Sequence, residues 1–94
     1  MKRTTRADIE AELFMLERVV RKLGMKNRGD EWILVSGSVA GQEPWRLLTK
    51  RGRDMAPVTF VPAGVLGANR TETLNNIRVL RYALTQVLKK LEVQ

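Results

Sequence analysis

The stretch from Asn69 to Leu91 constrains the fold of this chain more than any other. Apolar residues stand at Leu74, Ile77, Leu80, Leu84, Val87 and Leu91, three and four apart, with no Gly or Pro among them. That is the period of an amphipathic helix. Arg78, Arg81, Tyr82, Thr85 and Lys89 fall on the other side, so the apolar stripe is expected to have a basic back. Some twenty residues at about 1.5 Å each make a rod of roughly 30–35 Å, long enough to cross a small sheet. Asn69 with Glu72 three residues on gives a capping-box start.

The rest of the chain reads as the surface on which this helix packs. Thr5 with Asp8 forms a second capping box. Ile9, Leu13, Leu16, Val20 and Leu23 then make an apolar seam, and Gly24 followed by Met25 suits a Schellman ending. The spacing predicts a helix over 6–23. Lys26 to Asp30 is a polar turn. Trp32-Ile33-Leu34-Val35 is β-favouring and predicts a strand over about 31–37, with Gly37 marking a bulge or its end. Pro44 opens a second strand in which Trp45, Leu47 and Thr49 share one face and Arg46, Leu48 and Lys50 the other. Lys50 to Asp54 reads as a basic turn. Val58-Thr59-Phe60-Val61, bracketed by Pro57 and Pro62, reads as a third, edge strand. Ala63 to Ala68 is expected to be a loop.

The order is helix, strand, strand, strand, helix. Short links between strands imply a three-stranded antiparallel sheet. A single stripe on each helix puts both helices on one face of it. The expectation is an α+β domain over 6–94 behind a basic tail at 1–5. Its core should include Leu13, Leu16, Val20, Trp45, Leu47, Phe60, Ile77, Leu80 and Leu84.

Charge supplies the strongest indication of function. Seventeen Lys and Arg face ten Asp and Glu among 94 residues, a formal net charge of +7. Such an excess favours polyanions, nucleic acid above all. A chain of this length buries only about 60–65% of its unfolded surface, so a partner contact would help its stability. Without Cys or His it has no disulfide, no thiol nucleophile and neither of the commonest transition-metal ligands. Asp8 and Glu12, four apart on the first helix, lack the further oxygens that Mg²⁺ needs, and read as a solvated helix start. Ser36 and Ser38 have no His to activate them. Gly37 and Gly41 fit no nucleotide-binding fingerprint. The expectation is a non-enzymatic protein without cofactor or metal. The basic amino terminus lacks the apolar core of a signal peptide, and no apolar run is long enough to span a bilayer. A cytoplasmic location away from membranes is therefore expected.

Five basic residues make the first candidate site: Arg46 and Lys50 on the open sheet face, Arg51 and Arg53 on the adjoining turn, and Arg70 at the start of the last helix, where the helix dipole favours a phosphate. Arg78, Arg81 and Lys89, on the outer face of that helix, make the second. Lys2, Arg3 and Arg6 in and beside the tail offer a mobile contact. Arg51-Gly52-Arg53 resembles the core of an AT-hook, though without its flanking prolines. From Glu43 onward the arrangement resembles the three-stranded, one-helix DNA-binding domain of tyrosine recombinases. The full helix, three-strand, helix order resembles the double-stranded-RNA-binding domain. Of the recombinase helix-start phrase, Asn69, Arg70 and Glu72 match. Of the RNA-binding domain's lysine cluster, only Arg70 corresponds. The Trp45-Arg46-Leu47 strand with the final helix also resembles small proteins of actinobacterial bacteriophages, which implies a host-cytoplasmic location. Together these readings point to phosphate contacts with nucleic acid, more specifically duplex DNA.

A different class of function rests on the first strand. Trp32, Ile33, Leu34 and Val35 cannot all face one core in a sheet covered on one side. The surplus apolar surface predicts a homodimer or a protein partner, with the basic charge incidental.

Overall fold

The computed structural model of the protein describes residues 3–26, 29–36 and 44–93. The expectations that fell on Lys2, Gly37, Ser38 and Gly41 lie outside the described residues.

The first helix, α1, spans Arg6–Lys22. Thr5 caps it: its hydroxyl accepts from the Asp8 N–H at 3.2 Å while the Asp8 carboxylate accepts from the Thr5 N–H at 2.9 Å. It ends in a full Schellman motif. The Met25 N–H donates to the Val20 carbonyl and the Gly24 N–H to the Arg21 carbonyl, both at 3.0 Å.

Strands β1 (Glu31–Val35) and β2 (Trp45–Arg51) pair antiparallel, with Ile33 opposite Leu48. β2 turns into β3 (Asp54–Pro57) through Gly52 and Arg53, with Arg51 opposite Asp54. Gly52 takes φ +62° at the first central position of this tight hairpin, where a glycine accepts positive φ without strain.

This hairpin moves the third strand away from the apolar run 58–61. The two-residue turn starts the ladder at Asp54, and Pro57 ends it opposite Leu48. The Leu48 backbone groups face β1, so the missing N–H of Pro57 costs no ladder bond. Val58 then turns inward. It is buried, and its N–H donates to the Leu47 carbonyl at 3.3 Å.

Residues 63–68 are likewise more ordered than a loop. A 3₁₀ turn at Pro62–Gly64 leads into a short strand, β4 (Val65–Gly67), that pairs with the start of β2. Trp45 stands opposite Gly67 and Arg46 opposite Val65, so Leu66 is the extra residue of a β-bulge, and it is buried.

The second helix, α2, spans Arg70–Val93 and is the longest element. Its start runs beside that of α1, with the Thr71 hydroxyl 3.4 Å from the Thr4 hydroxyl. Ion pairs from Arg78 and Arg81 to Glu12 continue the contact, so the two helices run in the same direction. Both bury side chains against one face of β2. Ile9, Leu16, Val20, Leu47 and Ile77 are the heart of a single core, with Trp45, Leu66 and Leu74 around them. Phe60, Leu80 and Leu84, expected inside, are half-buried at its margin. α2 does not cross the sheet on a buried stripe throughout. Val87 and Leu91 are 47% and 55% exposed, so its last turns run past the body of the domain. No helix among the described residues is long and apolar enough to cross a membrane.

Candidate nucleic-acid interface

Strand pleating assigns each residue of the sheet to a face. Opposite residues in an antiparallel pair point the same way, and neighbours along a strand point opposite ways. With Trp45 and Leu47 buried under the helices, the register gives the open face three rows: Val35, Arg46 and Val65; Ile33, Leu48 and Pro57; Glu31, Lys50 and Met55. Arg46 is exposed and Lys50 half-exposed. Among the described residues neither has a carboxylate at ion-pair distance, although Glu31 stands across the strand from Lys50. The exposed Arg53, on the hairpin tip, lies just beyond this end of β2.

Arg51 goes elsewhere. It lies on the helix-side parity of β2, and its Nε donates to Asp30 Oδ1 at 2.8 Å. The pair ties the hairpin to the turn before β1 and turns Arg51 away from Arg46 and Lys50. Arg70 is remote from Arg53. It follows β4, at the Trp45 end of β2, whereas Arg53 lies past the Arg51 end. The strand between them has seven residues, roughly 20 Å. Near Arg70 the backbone donors are already engaged in part. The Glu72 N–H donates to Asn69 Oδ1 at 2.9 Å, and the Glu72 carboxylate accepts from the Ala68 N–H at 3.3 Å. A side-chain anion thus sits where a phosphate was expected. Of the five residues, Arg46 and Lys50 share the open face, and Arg53 lies at the hairpin tip beyond Lys50.

The second candidate site is corrected by the same kind of pairing. Arg78 and Arg81 do not line the outer back of α2. Their Nε atoms donate to the two oxygens of Glu12, at 3.2 and 2.9 Å. Glu12 is therefore no solvated helix-start acid. Its side chain is 9% exposed and serves as the clamp between the helices. Lys89 remains exposed, remote from both. Arg6 is also bound in place, donating to Glu10 at 2.9 Å and to the Leu34 carbonyl at 3.0 Å.

The apolar strand divides as its alternation demands. Trp32 and Leu34 pack against the core, with Trp32 5.6 Å from Phe60. Ile33 and Val35 stand on the open face. Lys26, read from sequence as a turn residue, is buried. Its Nζ donates to Glu17 and to the Asp30 carbonyl, and it lies 5.7 Å from the Trp32 ring. The residues that sequence reasoning missed are the apolar members of the open face: Leu48, Met55, Pro57 and Val65. Leu48 was legible in the alternation of β2. The others needed the positions of β3 and β4. Among the described residues there is no group of three or more acidic side chains placed to hold a metal.

Comparison with protein-family models, curated proteins and solved structures returns no match.

Proposed function

We propose that this protein is a small, non-catalytic nucleic-acid-binding accessory that contacts duplex phosphates through the open face of its sheet and the hairpin tip. The observation that carries the reading is the division of labour among its cations. Arg6, Arg21, Lys26, Arg51, Arg78 and Arg81 are paired with carboxylates of the same chain. Among the described residues Arg46, Lys50 and Arg53 have no such partner; Arg46 and Lys50 share the uncovered face of β2, and Arg53 stands on the hairpin tip beyond Lys50. The net charge of +7 supports attraction to a polyanion. The open-face rows contain no aromatic ring, so stacking on bases has no support, and contacts to phosphates carry no sequence information.

Fluorescence-anisotropy titration with duplex DNA, duplex RNA and heparin, each at two salt concentrations, tests this. The five-residue site expected from sequence implied a log–log salt slope of roughly −4 to −5, whereas three contacts imply about −3. Absence of duplex binding at low salt overturns the proposal. Equal affinity for heparin reduces it to unspecific charge attraction.

A second reading is favoured by the apolar side chains of the same rows. Ile33, Leu48 and Pro57 make a continuous apolar line between the two rows that carry cations, which suits a protein partner better than a phosphate backbone. Leu48→Ser distinguishes the two readings: it leaves a phosphate interface intact and damages an apolar one.

A further inference from the structure

We infer that the open face of the sheet seats the minor groove of a DNA duplex. The apolar row Ile33, Leu48 and Pro57 enters the groove as a ridge, and the cations on either side of it reach the two phosphate chains. The inference rests on the duplex-binding reading above and deepens it, because phosphate contacts alone give the apolar row nothing to do. The register fixes the dimensions of this face. Ile33 stands opposite Leu48, and Leu48 opposite Pro57. The row therefore runs across three strands and is about 10 Å long at the usual strand spacing. The flanking rows lie two residues away along β2, about 7 Å on either side. Arg46 belongs to one of them and Lys50 to the other. The two cations thus stand about 13 Å apart, with Leu48 midway between them. Ile33 and Leu48 are half-buried and Pro57 is exposed, so the ridge is fixed at its base and open at its crest.

A ridge one side chain thick, with positive charge along each flank, matches one groove of B-form DNA. The minor groove is about 6 Å wide, and a phosphate chain borders it on each side. The major groove, about 12 Å wide and 8.5 Å deep, takes a whole helix or a two-stranded ribbon. A row held in the plane of a three-stranded sheet does not fill it. A single phosphate chain laid along β2 fits less well, because it would press charge onto Leu48 between the two cations. With the ridge in the minor groove, Arg46 reaches one strand. Lys50 reaches the other, together with Arg53 on the hairpin tip beyond it.

The apolar side chains then meet sugar walls and base edges. Leu, Ile and Pro act as wedges in this groove, opening it by bending the duplex toward the major groove. A protein surface would also cover the row. Nothing about a protein surface, however, requires negative charge on both sides of an apolar strip, whereas the minor groove has it along its whole length. Glu31, exposed and opposite Lys50, opposes a phosphate at one corner of the face. The ridge also carries a base preference. Guanine raises its N2 amino group from the floor of the minor groove, whereas A·T pairs show only acceptors there. Under the ridge that amino group is an obstruction, and the side chains of Ile33, Leu48 and Pro57 offer it no acceptor. Duplexes rich in G·C should therefore seat poorly.

Inosine separates the two grooves: an inosine·cytosine pair keeps the major-groove pattern of G·C but lacks the N2 amino group. Anisotropy titration of the full chain with duplexes of equal length, built from A·T, I·C or G·C pairs, tests the inference. The A·T and I·C duplexes should bind alike, and about threefold or more tighter than G·C. Leu48→Asn, which sets an amide carbonyl on the ridge, should narrow the gap between G·C and I·C and leave the salt slope unchanged. Equal binding of all three duplexes overturns the inference and leaves phosphate contact standing. Grouping of I·C with G·C overturns it as well, because the bases are then read from the major groove. A gap that Leu48→Asn does not narrow removes Leu48 from the groove floor and overturns the ridge. If that variant fails to fold, the duplex series with the unaltered chain decides alone. Absence of binding to every duplex at low salt removes the duplex-binding reading itself, and the inference with it.

Discussion

Trp45 and Leu47 on β2 are 6% and 0% exposed, while Arg46, the residue between them, is open to solvent. One pleat thus separates two environments. The helix-covered face is closed by side chains of α1, α2 and the bulge at Leu66. The other face keeps a row of Ile33, Leu48 and Pro57 with neither helix above it. A solvated antiparallel sheet face ordinarily carries polar residues. Here half-exposed branched side chains alternate with two cations. The difference teaches that the covered face specifies the fold, whereas the open face is not needed to close the core.

The sharpest way to break this comparison is to truncate neighbouring leucines of β2. Leu47→Ala should cost about 3–5 kcal/mol, because a fully buried side chain leaves a cavity that rigid helices cannot fill. Leu48→Ala, one residue on, should cost under about 1 kcal/mol by the transfer of a partly exposed side chain. Urea denaturation of both variants checks the ratio. Equal losses would mean that the open face is covered in solution.

Next comes the close approach behind Leu47. Gly64 has φ +72°, and a Cβ there would lie 2.7 Å from the Leu47 carbonyl oxygen. Gly64→Ala combines positive-φ strain with a backbone clash and should lose about 2–4 kcal/mol in the same assay. Gly52→Ala has the same kind of φ but meets nothing within 4 Å. It should lose only about 1 kcal/mol.

These residues also mark how far the sequence could be read. Both helices and their caps were legible because periodicity, Thr5 with Asp8, and Gly24 are local signals. β1 and β2 followed from their β-favouring runs. The third strand was misplaced because the apolar run at 58–61 outweighed the turn chemistry of Gly52, which fixes the register. β4, at three residues, is too short to show a period. The candidate site suffered from a different blindness. Arg51 and Arg53 look alike in sequence, and only the fold reveals that Asp30 engages one of them. Arg78 and Arg81 looked like a solvated back because their partner, Glu12, lies 66 and 69 residues away. Charge counts are local, whereas pairing is a property of the packed chain.

That clamp is the third test. Glu12→Gln keeps the shape of the side chain and removes its charge. It should cost about 1–2 kcal/mol, at the lower end of what a broken buried pair costs, because Arg78 and Arg81 are 55% and 35% exposed and partly screened. The loss should shrink in high salt. Duplex binding should hold or rise slightly, because two guanidiniums are released. A fall in binding would place Glu12 and its arginines nearer the interface than the open-face reading allows.

The smallest expected effect bears most directly on function. Arg46 and Arg53 touch no carboxylate among the described residues, so Arg46→Ala and Arg53→Ala should leave the melting temperature unchanged. Each should reduce the log–log salt slope of duplex binding by about 0.9, the signature of one lost phosphate contact. Arg51→Ala serves as the paired control on the same hairpin. It releases Asp30 and should change stability slightly while leaving the salt slope alone. A slope lowered equally by all three would mean that Arg51 leaves Asp30 for a phosphate when the duplex arrives. A slope unmoved by Arg46 and Arg53 but lowered by Lys89→Ala would shift the contact to the overhanging end of α2. The open face would then be left to a protein partner, with Leu48 at the centre of its contact.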